Sequence, residues 1–467
     1  MPLISSISGI RGTIGRGEEN LNPQNFVNFV LAFGEFIKEK NKNKKSKIVV
    51  GRDGRISGKY FLDLAVNSLV FLGFEVIDID LASTPTVQIA VIKEKANAGI
   101  IISASHNPRE WNALKLLNSK GEFLDKKSGE EILKNAVKKD FSLVNVDGLG
   151  KIIKKDFYTN IHNQQILKLP LVNKNLIKKR NYKIVVDGIN SVGSLVVYDL
   201  LQKLGLKNIV VINEKVDGNF FHNPEPVEQN LKQLCKEVVK QKADLGIAVD
   251  PDVDRLAFVD EKGNYFNEEN TLIVVADYVL KNYKVFKNKY KKNTVSNMSS
   301  SLALQDISKK YQANCFYSAV GETNVVVEMK KKKAVIGGEG NGGIIYPEFH
   351  YGRDALVGTA LFLSALSSLD IKMSELKESL PKYFLLKSKI EFNKGLNIKA
   401  MFDRIERKYK NFEISKIDGL KINFSEKKSW IHLRKSNTEP IIRIYCEAPS
   451  KKEAEFIFTE ISDYLKN

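Results

Sequence analysis

Short apolar runs alternate with amphipathic stretches along most of the chain. The runs are rich in β-branched residues and are bounded by polar or glycine-containing segments, a pattern typical of buried strands. They occur in three successive groups of three. The predicted strands are 47–50, 74–79, 98–102, 182–186, 208–212, 245–249, 294–296, 314–317 and 334–336.

The amphipathic stretches between these runs predict helices. Asn22-Pro23 opens the first one, because proline is favoured at the first helical position. Its apolar residues repeat at helical spacing on one face, and they are Phe26, Phe29, Val30, Phe33 and Ile37. Further helices are predicted near 194–204, 231–242 and 270–281. This alternation of strand and helix indicates parallel sheets with helices on both faces.

The last hundred or so residues follow a different pattern. Two or three strands, including 429–433 and 441–446, precede a helix in which Ser450 and Glu453 form a capping box. The predicted fold class is therefore α/β, with three similar α/β units and a smaller C-terminal α+β domain. The predicted boundaries are 1–155, 156–260, 261–370 and 371–467.

The composition limits the classes of protein to which this chain can belong. The chain has 467 residues, 43% of them hydrophobic, and no apolar run approaches the ~20 residues that a membrane span requires. The N-terminus lacks a charged and apolar leader. Three cysteines lie far apart in the sequence, without the spacing of a metal site or a disulfide framework. We therefore expect a cytoplasmic protein with no membrane partner.

The formal net charge of +18 raises the question of a nucleic-acid partner. The lysines, however, are scattered over predicted helices and loops without interleaved aromatic residues, which indicates a solvated surface. We expect neither nucleic acid nor an obligate protein partner. The arginines instead concentrate in loops rich in glycine, aspartate and serine. Because a guanidinium binds phosphate in a fixed planar geometry, this distribution predicts a phosphorylated small molecule as ligand.

The first candidate site is Ser103-Ala-Ser-His-Asn-Pro108. It follows the predicted strand 98–102, so Ser105 lies just beyond the carboxyl end of that strand, where ligands bind in open α/β sheets. A serine in this place can act as a nucleophile or phosphate carrier if other groups activate it. A serine- and asparagine-rich turn without function is the alternative.

The second candidate site is Asp250-Pro-Asp-Val-Asp-Arg255, after the predicted strand 245–249. Carboxylates on alternate residues offer hard oxygen ligands of the kind that Mg²⁺ prefers. A turn rich in aspartate is the structural alternative. The segment lacks the later glycine and glutamate of an EF-hand loop.

Two further loops complete the set. Gly337-Gly-Glu-Gly-Asn-Gly-Gly343 lets backbone approach a ligand, and its Glu339 and Asn341 suit sugar hydroxyls; a flexible turn is the alternative. It is not a Walker loop, because no Gly-Lys-Ser/Thr ends it. Arg434-Lys-Ser-Asn-Thr-Glu-Pro440, with Arg443 in the next strand, combines guanidinium groups, hydroxyls and amides that suit phosphate. A charged turn is the alternative there.

These four loops follow one another in an order, one in each predicted domain, that resembles the α-D-phosphohexomutase family, which isomerises hexose phosphates between the 1- and 6-positions. The resemblance spans essentially the whole chain and implies four domains around a central cleft, the first three sharing a mixed α/β topology. Shorter matching segments are Ser8-Gly-Ile-Arg-Gly12, Gly51-Arg-Asp-Gly-Arg55, Ser83-Thr-Pro85 and Asn223-Pro-Glu-Pro226.

The resemblance also implies roles. Ser105 would be a phosphoserine that exchanges its phosphoryl group with the sugar through a hexose 1,6-bisphosphate. Mg²⁺ would be held by a phosphoserine oxygen and by the aspartate triad, Asp250, Asp252 and Asp254. Lys115 would be the general acid/base, with a pKa lowered by burial or nearby cations.

Arginines and polar residues would complete the implied site. Arg11 and His106 would flank the phosphoserine, and Arg255 would support the metal loop. Glu339 and Asn341 would hold the sugar hydroxyls. The implied ligands of the non-reacting phosphate are Arg434, Ser436, Asn437, Thr438 and Arg443.

Two departures from the family pattern bear on the substrate. Many members end the sugar loop in Ser-Gly-His, where this chain has Asn341-Gly-Gly343, so an acid/base role there is in doubt unless His350 enters the cleft. Asn112-Ala113 replaces the usual Asn-Gly before the lysine. The glycine loop and Tyr351-Gly-Arg-Asp354 look most like the archaeal-type branch often assigned to phosphoglucosamine mutase. Glucosamine phosphate is therefore the predicted substrate; mannose or glucose phosphate, and a Mg²⁺-dependent sugar phosphatase, are the alternatives.

Overall fold

A computed structural model describes residues 3–6, 9–17, 19–42, 46–391, 397–435 and 441–466. The fold has four domains: three with mixed α/β sheets and a smaller C-terminal one with an antiparallel sheet. By the density of its internal packing the chain forms two compact units. The first comprises 1–271 and 341–378, and the second comprises 272–340 and 379–467.

The first domain is built on a seven-stranded sheet with the order β1-β2-β6-β5-β3-β4-β7. Its strands are β1 (Ile4–Ser6), β2 (Gly9–Thr13), β3 (Lys47–Arg52), β4 (Glu75–Leu81), β5 (Ala98–Ile102), β6 (Trp111–Asn118) and β7 (Lys151–Lys154). Its helices are α1 (Pro23–Lys40), α2 (Gly58–Phe71), α3 (Thr84–Lys93) and α4 (Lys126–Lys138). The predicted start of α1 is confirmed, because Asn22 caps the helix and Pro23 is its first residue. The apolar face of α1 packs with α2 and the sheet in one core.

The second domain has a four-stranded sheet with the order β11-β10-β8-β9. Its strands are β8 (Lys183–Asp187), β9 (Asn208–Ile212), β10 (Leu245–Val249) and β11 (Leu256–Asp260). Its helices are α5 (Tyr158–Ile166), α6 (Lys174–Arg180), α7 (Gly193–Lys203) and α8 (Lys232–Lys240). The strands β8, β9 and β10 are parallel, as the sequence predicts, whereas β11 returns antiparallel to β10.

In the third domain β12 pairs in parallel with β13 and β14. The strands are β12 (Lys291–Asn297), β13 (Asn314–Ser318), β14 (Ala334–Glu339) and β15 (Gly343–Ile345). The helices are α9 (Glu268–Lys281), α10 (Ala303–Lys310), α11 (Glu322–Lys332), α12 (Ala355–Leu369) and α13 (Met373–Ser379).

The C-terminal domain has a five-stranded antiparallel sheet, β16-β20-β19-β18-β17, where the sequence predicted two or three strands. The additional strands are short or strongly mixed in polarity, so they lack the apolar runs that identify strands in the earlier domains. The strands are β16 (Phe384–Glu391), β17 (Glu413–Ser415), β18 (Leu420–Phe424), β19 (Ser429–Lys435) and β20 (Ile441–Ala448). The helices are α14 (Ile398–Lys408) and α15 (Lys451–Lys466), and Ser450 Oγ accepts from Glu453 N at the start of α15.

The mixed α/β topology that the resemblance implies is confirmed, and the antiparallel strands are the part that the strand–helix alternation alone did not indicate. β6 and β11 each run antiparallel to the strand that precedes them, β5 and β10. The serine loop and the aspartate loop are the turns that reverse the chain at these two places. Each is therefore a short connection at the carboxyl end of a buried parallel strand, where side chains are held firmly.

Membrane-spanning potential is restricted to one bent pair of helices. Among the described residues no single helix is long and apolar enough to cross a bilayer. Together α12 and α13, which are bent by 88° at the break between them, have the length and apolar composition of a membrane span.

Candidate active site

Ser105 occupies the turn between β5 and β6 in a strained conformation. Its φ is +48°, in the left-handed region that is uncommon for residues other than glycine. Its backbone N–H donates to Ser103 Oγ at 2.9 Å, and its own Oγ donates to Asp250 Oδ2 at 2.5 Å. The residue is buried. Strain of this kind persists only where the surrounding contacts fix the backbone.

Arg55 supplies most of those contacts. Its guanidinium donates to the backbone carbonyl oxygens of Ser105 and Asn107, both at 2.6 Å. It also donates to the carbonyls of Pro108, at 2.7 Å, and Trp111, at 2.9 Å. Its side chain is completely buried and binds four backbone carbonyl oxygens in or beside the serine loop. These contacts hold the loop in its conformation.

The charge of Arg55 is balanced by Asp53, which is equally buried. The Arg55 Nε lies 3.2 Å from Asp53 Oδ2. The same carboxylate oxygen accepts from Ser103 Oγ at 2.6 Å, and Ser103 Oγ in turn accepts from the Ser105 amide. Through Asp53, which follows β3, an ion pair and two hydrogen bonds therefore connect Arg55 to the backbone amide of Ser105.

The aspartate loop between β10 and β11 is also strained. Val253 has φ +60°, an outlier for a β-branched residue. Asp250 Oδ1 accepts from the backbone amides of Asp254 and Arg255, both at 3.0 Å. All three aspartates of the loop are fully buried, and one oxygen of each lies within 4.8 Å of the others.

The surroundings of the triad suit a divalent cation. Asp252 Oδ2 accepts from Lys115 Nζ at 2.6 Å and Thr84 Oγ1 at 2.5 Å, and Asp254 Oδ2 accepts from Arg353 at 2.7 Å. In contrast, Oδ1 of Asp252 and of Asp254 are buried without a hydrogen-bond partner. Buried carboxylate oxygens are rarely left so, since desolvation without compensation is costly. A hard cation such as Mg²⁺ would satisfy both.

The pKa values of Asp250 and Asp252 are shifted because these carboxylates are buried close to other charged groups. Burial, followed by the neighbouring Asp254 and Asp252, raises the pKa of Asp250 well above its ordinary value. Burial also opposes ionisation of Asp252, but the ammonium of Lys115 outweighs it and lowers the pKa of Asp252. Like charges held this close in a dry site cannot all ionise without a compensating cation.

Lys115 departs from the expectation that its pKa is lowered. Burial alone would lower it, but the carboxylates of Asp252 and Asp254, at 2.6 and 3.9 Å, more than compensate and raise the pKa of Lys115. The sequence could not reveal this because those partners are more than a hundred residues away from Lys115 in the chain. In this structure Lys115 is an ammonium and hence a proton donor.

His106 and the arginines around it form the other side of the serine. His106 Nδ1 lies 3.5 Å from Ser105 Oγ, and Arg11 donates to Asn107 Oδ1 at 3.3 Å. Burial first, and then the positive charges of Arg255, Arg11 and Arg353, lower the pKa of His106 well below its usual value. His106 is therefore a neutral imidazole and a weak base at neutral pH.

Arg255 joins the aspartate loop to another segment of the second domain. Its Nη1 donates to Glu225 Oε1 at 2.8 Å, in the turn Asn223-Pro-Glu-Pro226. Its backbone amide donates to Asp250 Oδ1. The Arg255 side chain thus links the aspartate loop to this turn, and its support of a metal loop stays a prediction.

The glycine loop is divided between the two compact units. Glu339 is buried in the second unit, where Oε1 accepts from Asn297 Nδ2 and from the Gly321 amide, both at 2.9 Å. Asn341 is in the first unit, and its Oδ1 accepts from the Gly343 amide at 3.2 Å. Gly342 has φ +82°, and a Cβ there would lie 2.1 Å from the Leu256 carbonyl oxygen. Only glycine allows this close approach to the residue after Arg255.

Arg434 and Arg443 are directly opposite each other on β19 and β20. Lys389 on β16 lies opposite Arg443 in turn, so three cations form a row on one face of the sheet. Arg434 also pairs with Asp418, Nε to Oδ2 3.0 Å. Like charges placed directly opposite repel each other, a cost that an anion would relieve. The predicted phosphate ligands Ser436, Asn437 and Thr438 lie outside the described residues.

His350 adjoins another histidine. Its Nε2 lies 3.1 Å from Asp354 Oδ2, and His162 Nε2 lies 2.9 Å from the same oxygen. The hypothesis that His350 replaces the missing histidine of the sugar loop has no support in these contacts.

Known protein families match the four domains of this chain one after another along the sequence. The family descriptions that match are phosphoglucomutase/phosphomannomutase alpha/beta/alpha domain I at residues 4–143, domain II at 158–263, domain III at 267–384 and the C-terminal domain at 386–463. The chain belongs to the phosphohexomutase family. It is an enzyme of the isomerase class, as the resemblance predicted.

Individual relatives carry two kinds of name. The phosphohexomutase described here is 34% identical to a phosphoglucomutase/phosphomannomutase of Thermococcus kodakarensis, over 97% of this chain and 96% of that protein. It is 33% identical to a phosphoglucosamine/phosphogalactosamine mutase of Sulfurisphaera tokodaii, over 98% of each. The relatives therefore agree on a mutase and differ on the sugar.

Solved structures agree on the fold. A phosphoglucomutase/phosphomannomutase family protein from Burkholderia thailandensis superposes with a TM-score of 0.83 at 23% identity, covering 99% of this chain and 98% of that one. Aspergillus fumigatus N-acetylphosphoglucosamine mutase, in complex with GlcNAc-6P and magnesium, gives a TM-score of 0.59 at 15% identity, covering 100% and 96%.

Several residues of this phosphohexomutase escaped prediction as site residues. Arg353 and Thr84 contact the aspartate triad, and Asp53 pairs with Arg55 beneath the serine loop. These four residues belong to short segments that resemble the family, but the resemblance assigned them no role in the site. The excess of arginine in polar loops pointed to Arg55 and Arg353. Nothing in the sequence indicated which partners they reach.

Proposed function

We propose that this phosphohexomutase interconverts hexose 6-phosphate and hexose 1-phosphate through a phosphoserine at Ser105, with glucosamine phosphate as the preferred substrate. The observation that carries the proposal is the 2.5 Å contact between Ser105 Oγ and Asp250 Oδ2, within a buried aspartate triad. The contact holds the serine hydroxyl beside carboxylates that suit a divalent cation. A phosphoryl group on this serine would have its charge neutralised by such a cation.

The reaction consists of two phosphoryl transfers, the first from Ser105 to the sugar and the second from the other phosphate of the sugar back to Ser105. A sugar hydroxyl attacks the phosphorus of phosphorylated Ser105, the bond from phosphorus to Ser105 Oγ breaks, and a hexose 1,6-bisphosphate forms. A proton passes to Ser105 Oγ as that bond breaks, and the proton of the sugar hydroxyl returns Lys115 to its ammonium form. Lys115, charged and buried, supplies the proton to the leaving oxygen. After the bisphosphate reorients, the serine attacks the other phosphate and the same steps reverse.

Mg²⁺ fits the oxygens that Asp252 and Asp254 leave without partners. When bound there with Asp250, it would neutralise charge on the phosphoryl group in transit. Thr84 and Arg353 hold the opposite carboxylate oxygens in place. His106, neutral because of burial and its arginine neighbours, lies 3.5 Å from Ser105 Oγ as a polar neighbour of the transferred group.

The preference for glucosamine phosphate rests on the form of the glycine loop and of residues 351–354, and on the name of the Sulfurisphaera relative. Glu339 and Asn341 are the proposed contacts of the sugar hydroxyls. Mannose and glucose phosphates are the alternatives, since the Thermococcus relative carries those names.

The row of Lys389, Arg443 and Arg434 is the proposed site of the non-reacting phosphate. Replacing Arg443 by glutamine should raise KM about tenfold to a hundredfold, because one charge-assisted contact to phosphate is worth roughly 1.5–3 kcal/mol. Stability should change little, since the Arg443 side chain is only half-buried on the sheet. Initial-rate kinetics and thermal melting test this together. A lower melting temperature with unchanged KM would show instead that Arg443 is structural.

The substrate class is tested by kinetics of the purified enzyme on the 6-phosphates of glucosamine, glucose and mannose with Mg²⁺. We expect isomerisation to exceed release of inorganic phosphate by at least about a hundredfold, a lag that added hexose 1,6-bisphosphate shortens, and loss of turnover on chelation that Mg²⁺ restores. The glucosamine substrate should have the highest kcat/KM.

Two outcomes would contradict different parts of the proposal. Phosphate release at a rate comparable to isomerisation would make the protein a sugar phosphatase, since a mutase must exclude water. Equal kcat/KM on the three sugars would leave the mutase intact and remove the preference for glucosamine.

A further inference from the structure

Within the described ranges, two groups of potential metal ligands bring their atoms within 4.8 Å of one another: the aspartate triad, and His162 with His350 and Asp354. The second group is almost wholly buried, between α5 and the start of α12. Only five histidines occur in the chain, so the meeting of two at one carboxylate is notable.

Asp354 is held in position for such a site. It caps α12, and its Oδ1 accepts from the amides of Leu356, at 2.8 Å, and Val357, at 3.1 Å. Its Oδ2 therefore faces away from the helix. There it meets Nε2 of His162 at 2.9 Å and Nε2 of His350 at 3.1 Å. Burial would raise the pKa of Asp354, but the two histidines lower it, so the group is a carboxylate.

The far ring nitrogens provide the second observation. Histidines that bind a metal through one nitrogen usually hydrogen-bond through the other, which fixes the ring and its tautomer. His162 Nδ1 lies 3.0 Å from Thr86 Oγ1, and Thr86 Oγ1 is 2.7 Å from Ser83 Oγ. His350 Nδ1 is buried and has no hydrogen-bond partner, so His162 is the histidine of this pair whose ring is fixed through its far nitrogen.

The wall beside the cluster is apolar. The ring of Phe349 stacks on His162, with centroids 5.4 Å apart, and meets His350 edge-on at 5.2 Å. Ligand atoms of a four-coordinate Zn²⁺ lie about 3.3 Å from each other, given bonds of about 2.0 Å. The two distances to Asp354 Oδ2 need to lengthen by only a few tenths of an ångström.

We infer that His162, His350 and Asp354 form a second metal site, separate from the aspartate triad, that takes a first-row transition-metal dication such as Zn²⁺. Two imidazoles and one carboxylate favour such a metal over Mg²⁺, which prefers oxygen ligands alone. Each histidine shifts its proton to Nδ1 and offers the Nε2 lone pair. The site joins α5 to the start of α12 and, through Thr86, to α3.

The test measures Zn²⁺ bound per chain of the full-length protein, after dialysis in millimolar Mg²⁺ that occupies the aspartate triad. The wild type should retain one equivalent, and Co²⁺ in its place should give the visible absorption of a four-coordinate ion. His350→Gln and His162→Gln should each weaken binding more than about a hundredfold. Thr86→Val, which removes only the outer hydroxyl, should weaken it about 10- to 100-fold.

Two matched controls keep the equivalent. His222→Gln alters another histidine paired with an aspartate, Nε2 to Asp187 Oδ2 2.8 Å, that has no second imidazole in the same group. Asp252→Asn alters the triad. If Zn²⁺ is lost in Asp252→Asn and kept in His350→Gln, or if the wild type retains less than about a tenth of an equivalent without a Co²⁺ spectrum, the inference is wrong. The wild-type spectrum decides the matter even if a histidine variant does not fold.

Discussion

Replacing Ser105 by alanine is expected to reduce mutase turnover by roughly a thousandfold or more, because removal of a covalent nucleophile eliminates the double-transfer route. The alanine has no oxygen to receive the phosphoryl group. Its smaller side chain also removes the donor to Asp250. Folding should be retained, since Arg55 contacts the backbone of this residue rather than its side chain.

The measurement combines kinetics with mass spectrometry. Incubation with hexose 1,6-bisphosphate should add the mass of one phosphoryl group to the peptide containing Ser105 in the wild type and not in the variant. Ser103→Ala is the matched control two residues away, where the side chain positions the loop but carries no phosphate. It should lose activity less severely and still be phosphorylated. Turnover in Ser105→Ala near that of Ser103→Ala would refute the covalent mechanism.

The second large effect is on stability. Arg55→Met is expected to destabilise the first domain by about 3–5 kcal/mol, because it leaves the Asp53 carboxylate buried without its partner. The variant also deprives four backbone carbonyls of their donor, which adds to the cost. Urea unfolding that follows the two tryptophans, Trp111 and Trp430, should show the Trp111 signal lost at lower denaturant.

Arg52→Met provides the matched control. Arg52 is three residues earlier and pairs with Asp80, Nε to Oδ1 2.7 Å, but Asp80 is 47% exposed. Exposed ion pairs contribute about 0–1 kcal/mol, so this variant should unfold almost as the wild type does. Equal destabilisation by both substitutions would show that neither the burial of the Arg55–Asp53 pair nor the four carbonyl contacts of Arg55 sets this arginine apart from Arg52.

Apolar periodicity predicted the strands of the first three domains well, because they are short apolar runs rich in β-branched residues, fully buried in β5 and β10 and half-buried in the edge strand β9. The predicted 98–102, 208–212 and 245–249 coincide with β5, β9 and β10. Strands of mixed polarity were not predicted. β6, for example, contains Lys115, which donates to Asp252, and Asn112, which donates to Ser57. A strand that carries functional polar residues on its surface loses the pattern that identifies it.

The loops of the site were evident from local sequence, whereas their mutual contacts were not. Ser105 and Asp250 are separated by 145 positions and meet at 2.5 Å. The direction of the Lys115 pKa shift depends on that meeting, since the carboxylates that raise it belong to another domain. Local pattern predicts which groups are present, and tertiary structure decides the charge each one carries.

The proposed cation site in the buried aspartate triad would link the lifetime of the protein to the supply of cation. Three carboxylates packed in a dry loop oppose folding, and a cation present at about a hundred times its dissociation constant returns about 2.7 kcal/mol. Purification in chelating buffers should therefore make the chain easier to digest with protease. In a cell depleted of magnesium, the same linkage would reduce the amount of enzyme as well as its rate.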